Sequence, residues 1–166
     1  RLANKSDLSE LTRLHTAFRE DVSPEAFAQV EGQPWLLEEV QEVLWTNSQE
    51  PPHLLVIASE SGLLGYIYST PEEWFERESL YIAELFVDSP TRRRGAGSIL
   101  IASSLLLAAQ HGVTGSHLCV GEQQREAATM YTQSFGFKPA PGAGGLMTDL
   151  EVLDNLGVVD EYLKDL

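Results

Sequence analysis

The chain has 166 residues, 43% of them hydrophobic and 22% charged, the balance of an ordinary globular domain with room for a sizeable core. Its net charge of −14 would repel a phosphate backbone, which argues against nucleic acid as a partner. No apolar run reaches the ~20 residues that cross a bilayer, and Cys119, the only cysteine, excludes an internal disulfide. A lone cysteine fits a reducing compartment, so a cytoplasmic location away from membranes is expected. The chain opens on Arg1 rather than Met and shows no secretory segment, so its natural start is expected to lie further upstream. The acidity suits a cationic small molecule or basic peptide as partner, and serves solubility equally well. One domain over 1–166 is expected, with no internal repeat.

Asp7 reads as a helix cap, followed by a helical stripe of Leu8, Leu11, Leu14 and Phe18. Ser23-Pro24-Glu25 starts a short helix, and Pro34 another, with Trp35, Leu36, Val40, Val43 and Leu44 on one side until Pro51-Pro52. "HLLVIASE", a turn at Ser61-Gly62 and "LLGYIYST" read as an antiparallel hairpin. A Glu-rich loop with Trp74 and Phe75 is expected next. "SLYIAELFV" is nearly all apolar and reads as a central strand, and Gly95 to Gln110 as an apolar helix ending at Gly112. "GSHLCVG" reads as a strand, Gln123 to Ser134 as a helix, and "FGFKPA" and "LMTDLEVL" as strands around a loop at Pro141 to Gly145. A short closing helix is expected over 155–164.

The stretch "DSPTRRRGAG" joins the central strand to the apolar helix, and it gathers three of the chain's 11 cations, Arg92, Arg93 and Arg94. Amides at a helix start are unpaired and carry the positive end of the helix dipole. Gly95 and Gly97 would let a ligand approach the backbone, and the arginines would add donors for phosphate oxygens. Those residue types suit a pyrophosphate-bearing ligand, or simply a solvated basic turn. No G-x-x-x-x-G-K-[ST] or G-x-G-x-x-G pattern is present.

Arg92-Arg93-Arg94-Gly95-Ala96-Gly97 resembles the R/Q-x-x-G-x-G/A motif of the GNAT acetyltransferase superfamily. The similarity continues in Val87 ending the preceding strand, in "HLCV" as the next strand, in Ala127 to Tyr131 as an A-x-x-x-Y helix, and in Gly136-Phe137 opening the strand after it. Tyr131 stands one residue further from Gly136 than in the family pattern, which also admits Thr132 to that place, and Gln124 replaces a frequent asparagine. The resemblance implies an α+β GNAT acyl-CoA N-acyltransferase fold. Its mixed central sheet would have about six to seven strands, flanked by helices and splayed at the CoA-binding strand.

It further implies acetyl-CoA as cosubstrate, with no metal. The pantetheine arm would pair with Leu85, Phe86 and Val87, and the pyrophosphate would sit on Arg92, Arg93, Arg94, Gly95, Ala96, Gly97 and Ser98, with Gln124 nearby. The reaction implied is direct transfer of acetyl to a primary amine, which must first lose a proton. Glu84 is the only charged residue in "LYIAELFV". Desolvation on an apolar strand makes a carboxylate a better proton acceptor, so Glu84 is a candidate base, with a structural role or a water relay as alternatives. Tyr131 would protonate the departing thiolate, or serve only as a packed aromatic. Cys119 and His117 are expected to pack in the core of their strand, too few for a metal set. Glu20, Asp21, Glu25 and Glu31, in the segment expected to wall the acceptor pocket, favour a cationic acceptor such as a polyamine, an aminoglycoside or a basic amino acid or peptide. A homodimer is left open. The alternative reading is a non-catalytic module that binds acyl-CoA as a sensor.

Overall fold

The structure, a computed structural model, describes residues 1–22, 38, 40–46, 54–121, 124–140 and 145–149. The helices expected from Ser23 and from Pro34, the strand end beyond Asp149 and the closing helix over 155–164 fall wholly or partly outside the described residues. The described strands form one mixed sheet in the order β1-β2-β3-β4-β6-β5. They are β1 (Leu54–Ser59), β2 (Gly62–Trp74), β3 (Arg77–Val87), β4 (Gly115–Leu118), β5 (Lys138–Pro139) and β6 (Leu146–Asp149). Helices α1 (Leu8–Val22), α2 (Ala96–Gln110) and α3 (Arg125–Ser134) accompany it. The run "SLYIAELFV" sits inside the sheet, between β2 and β4, as its apolar character predicts. The chain divides into two compact units, Arg1–Tyr68 with Glu84–Leu100, and Ser69–Ala83 with Ile101–Leu166.

In the first unit, Leu2 bridges antiparallel to Leu55, so the chain begins along β1. The expected cap at Asp7 moves to Asn4. Asn4 caps a 3-10 turn, Lys5–Asp7, that runs directly into α1, and Asp7 completes a capping box by accepting the Asn4 amide at 2.8 Å. Asp7 is buried and also takes a bidentate pair from Arg1, at 2.8 and 2.9 Å. Those donors hold its carboxyl below the usual carboxylate range, the Arg1 hydrogen bond being the larger cause. Leu11 and Leu14 of α1 are buried as the stripe predicts, and His15 is buried beside them. Val40 and Leu44, in a π-helical turn Val40–Thr46, are also fully buried. β1 and β2 pair antiparallel, Leu54 opposite Tyr68 and Ser59 opposite Gly62, with an irregularity at Ile57/Ala58. A Cβ on Gly65 would stand 2.5 Å from the Phe86 carbonyl oxygen, so only glycine lets β2 lie this close to the end of β3.

In the second unit, the expected Glu-rich loop is instead the far half of a long hairpin. β2 runs on to Trp74, and Phe75 and Glu76 make the turn with φ of +51° and +61°, the left-handed geometry that matches strand twist. Most residues of this tip are exposed and polar, and the composition of such strands is indistinguishable from that of a loop. β4 runs parallel to β3, Ser79 opposite Gly115 and Ile82 opposite Leu118, and antiparallel to β6. β4 stops at Leu118, which leaves Cys119 outside the strand and exposed, contrary to the expectation that it is packed. α2 is apolar all round and correspondingly covered, with Ile101, Ala102, Leu105 and Ala108 buried and Ser104 hydrogen-bonded to Ser69 at 2.9 Å. Phe135 and Phe137 are buried around the start of β5, of which only Lys138–Pro139 is strand.

Candidate active site

The basic loop lies where the sequence puts it. A 3-10 turn, Ser89–Thr91, follows β3, and α2 begins at Ala96 with Ile99 donating to the Gly95 carbonyl at 2.9 Å. The amides ahead of that first helical bond point out of the helix end. Arg93 and Gly95 adopt positive φ, +67° and +86°. A Cβ at Gly95 would meet nothing within 4 Å, so the loop presents open space there rather than a packed turn. Arg93 and Arg94 are exposed.

Arg92 is used more fully than the sequence suggests. Its Nε donates to the Val87 carbonyl at 2.8 Å, its guanidinium lies 5.2 Å from the centre of the Phe86 ring, and it pairs with Asp21 of α1. The Asp21 pair is substantially exposed, and such pairs are worth about 0–1 kcal/mol, so an arriving phosphate could displace the carboxylate. Asp21, counted among the acidic residues facing an acceptor, is thus occupied by a cation of its own chain. Glu25 and Glu31 lie outside the described residues.

β3 is asymmetric at this end. Towards β2 it stays bonded past its last residue, with the Asp88 amide donating to the Leu64 carbonyl at 2.8 Å. Its ladder with β4 covers only Ser79 to Ile82, so Leu85, Phe86 and Val87 continue without a described strand on that edge. Glu84 lies in this extension, its side chain 16% exposed. Its carboxylate accepts the Tyr66 hydroxyl at 2.6 Å and lies 3.2 Å from His15 Nδ1; both contacts converge on Oε2. His15 Nδ1 is also 3.2 Å from the Tyr66 oxygen. Phe18 stacks on His15 and meets Phe86 edge-on, walling the cluster with apolar rings. Burial, and then the charge of Glu84, raise the neighbouring Tyr68 hydroxyl above its ordinary value. The sequence reading singled out neither His15 nor Tyr66. The available signal was a titratable residue on the buried stripe of α1, four places after Leu11.

The other predicted residues stand in the second unit. Tyr131 is buried and packs edge-on against Phe137, centroids 5.6 Å apart; desolvation pushes its hydroxyl well above the usual phenol value. Thr132, the alternative for its place, is exposed and bonds back to the Ala128 carbonyl at 2.9 Å. Gln124 precedes α3 and accepts the Gly121 amide at 3.0 Å through its side chain, a local turn contact.

His117 is buried, as expected, but in a polar setting. Its Nδ1 meets the Ser79 hydroxyl at 2.7 Å and its Nε2 meets Glu72 at 2.8 Å, with Trp74 edge-on and Tyr81 stacked upon it. Burial lowers its pKa and outweighs the opposing pull of Glu72. A cavity of about 350 Å³ opens beside it, lined by Trp74, Phe75, Arg77, Ser79 and Met147 among others. Among the described residues no group of His, Cys, Asp or Glu could hold a metal ion, and no helix is long and apolar enough to cross a membrane.

Several solved structures share this architecture. The PaiA N-acetyltransferase of Thermoplasma acidophilum in complex with coenzyme A superposes with a TM-score of 0.69 at 17% identity, over 90% of this chain and 95% of that one. A tetramutant of the BH1408 protein of Bacillus halodurans gives 0.67 at 22% identity, over 86% and 95%. A GNAT family acetyltransferase of Brucella melitensis in complex with acetyl-CoA gives 0.63 at 19% identity, over 90% and 85%. At such identities the likeness is one of fold. No curated protein matches the sequence. The family model of the acetyltransferase (GNAT) family matches residues 13–137, from the middle of α1 through the basic loop to the residue before β5. With three-quarters of its length under that model and its sheet shared with those structures, the chain belongs to the acetyltransferase (GNAT) family.

Proposed function

We propose that the protein moves the acetyl group of acetyl-CoA to a primary amine, with Glu84 as the base that takes the amine's proton. The observation that carries this reading is Glu84 itself, a largely buried carboxylate on the stretch of β3 that outruns its ladder with β4. The loop fits a CoA pyrophosphate: positive φ at Arg93 and Gly95, open space at Gly95 and the unpaired amides of α2 make a cradle that a side chain would fill. Arg92, Arg93, Arg94, Gly95, Ala96, Gly97 and Ser98 would hold the phosphates, and Leu85, Phe86 and Val87 would offer backbone groups to the pantetheine arm. Gln124 is the remaining candidate contact to the cofactor. The bound coenzyme A and acetyl-CoA of the Thermoplasma and Brucella proteins support the choice of ligand. Acetyl-CoA supplies an activated acyl group.

The residues of this chain manage the proton. An ammonium has no lone pair, so the acceptor reacts only after Glu84 has deprotonated it. Tyr131, raised by burial, stays protonated across the working range. A phenol that far above a thiol gives a hydrogen bond to a developing thiolate more readily than it gives up its proton. A small cationic amine is the proposed acceptor class, on the chain's net charge of −14.

The test is thiol release from acetyl-CoA across polyamines, aminoglycosides, amino acids and basic peptides. Turnover with at least one is expected, and Glu84→Gln should lower it by ~10²–10⁴-fold, the usual share of a general base. Tight acetyl-CoA binding without turnover on any amine would leave the sensor reading instead.

A further inference from the structure

The carboxylate of Glu84 is not symmetric. Tyr66 Oη and His15 Nδ1 both approach Oε2, at 2.6 and 3.2 Å, and among the described residues Oε1 makes no hydrogen bond. His15 and Tyr66 are themselves almost fully buried, with exposures of 1% and 0%, so the three groups meet away from bulk water. Their protons can be placed from valence alone. The shortest contact gives the Tyr66 hydrogen to Glu84 Oε2, which leaves the Tyr66 oxygen as an acceptor. His15 Nδ1 then faces two acceptors, the Tyr66 oxygen and Glu84 Oε2, and can satisfy both only by carrying a proton.

We propose that Tyr66 and His15 are positioning residues for the acetyl transfer: they pin Oε2 of Glu84, fix the plane of its carboxylate, and leave Oε1 as the atom that receives the amine's proton. This rests on the reading of Glu84 as the base. The sense of the arrangement is orientation. A carboxylate on a strand can rotate about its last bonds, and a base is effective only when its lone pair meets the proton in line. Two donors on one oxygen remove that freedom. Helix α1 supplies one donor and β2 the other, so the carboxylate is oriented by two separate elements rather than by its own strand. The titratable groups that face Glu84 are His15 from α1 and Tyr66 and Tyr68 from β2.

One arm of the test needs no acceptor. In ¹⁵N-histidine NMR of the free protein at neutral pH, His15 is expected to carry a proton on Nδ1, and its signal should move in Tyr66→Phe and in Glu84→Gln. A bare Nδ1 that ignores both substitutions would overturn the proposal. The kinetic arm uses the fastest amine of the panel. Tyr66→Phe should lower kcat by about 10-fold, the scale of one hydrogen bond, with the KM for acetyl-CoA unchanged and the acidic limb of the pH–rate curve moved to higher pH. His15→Asn, which keeps an N–H near the place of Nδ1, should retain more activity than His15→Ala, and it covers the case in which the alanine variant does not fold. In a Glu84→Gln background, Tyr66→Phe should cost nothing further. Equal losses from Tyr66→Phe in both backgrounds would show that it acts elsewhere and would overturn the positioning role. Wild-type rates and pH curves in Tyr66→Phe and His15→Asn, beside a slow Glu84→Gln, would do the same while the base stood. A wild-type rate in Glu84→Gln would remove the base itself and the proposal with it.

Discussion

Gly95 combines a φ of +86° with open space where a Cβ would sit. A β-branched residue there is strained and fills the space. Gly95→Val should therefore abolish acetyl-CoA binding in calorimetry while the rest of the fold melts cooperatively. Arg92→Ala should weaken binding by about 1–3 kcal/mol, the range for hydrogen bonds to charged groups. It also frees the Val87 carbonyl and removes the cover from Phe86, so part of that loss would reflect a looser end of β3. Unchanged affinity in both variants would remove the loop from the binding site. His117 allows a pH prediction. Its folded pKa is lowered from the ordinary 6.5, so the unfolded chain binds the proton more readily. Stability associated with His117 is fully present above about pH 6.5 and is lost as pH falls below it. Urea titrations between pH 7.5 and about 5 should show a smaller acid-side loss in His117→Gln than in wild type.

Two contacts decide how elements enter and leave the sheet. The Asn4 cap and buried Asp7 fix the start of α1, and α1 carries His15 to Glu84. Asp7→Ala leaves the Asn4 amide without its acceptor and the Arg1 guanidinium with the Leu2 carbonyl in place of the carboxylate, and should cost about 1–3 kcal/mol in urea unfolding. Because the Asp7 carboxyl is held low, that stabilisation is present above its ordinary 3.8 and fades on acidification, so the difference from wild type should shrink towards pH 3. Gly65→Ala places a methyl group against backbone, which cannot swing aside as a side chain would. A cost of about 1–3 kcal/mol is expected, as for other overpacked sites. Displacing Phe86 and Val87 should also lower acetyl-CoA affinity, whereas Asp7→Ala should leave that affinity unchanged.

At the scale of the molecule, the chain combines a net charge of −14 with a loop of three arginines. Long-range repulsion of an anionic cosubstrate and attraction of a cationic acceptor are both screened by salt, the Debye length falling to about 8 Å at 0.15 M. Raising ionic strength from about 0.02 to 0.15 M should thus raise the KM of a polyamine and quicken acetyl-CoA association in stopped flow. An acceptor KM indifferent to salt would point to a neutral amine.

The family, the internal strand and the apolar helix were legible in the residues, because each rests on local chemistry. Glycines at the turn, an unbroken apolar run in β3 and an all-apolar α2 constrain the backbone wherever they occur. The hairpin tip is not legible in the residues for the same local reason: Glu-rich, largely exposed strands carry no apolar alternation, and only cross-strand hydrogen bonds reveal them. Cys119 was placed in a strand that ends one residue earlier, a boundary set by pairing with β3 and β6 rather than by residue type. The partners of Glu84 are the plainest case. His15, Tyr66 and Glu84 are separated by 51 and 18 residues, and no spacing rule connects them. Sequence alone determined the family and which residue types stand in the basic loop and on the central strand. The tertiary structure alone decided which of them meet, since contacts between distant segments depend on helix and strand packing that no local pattern encodes.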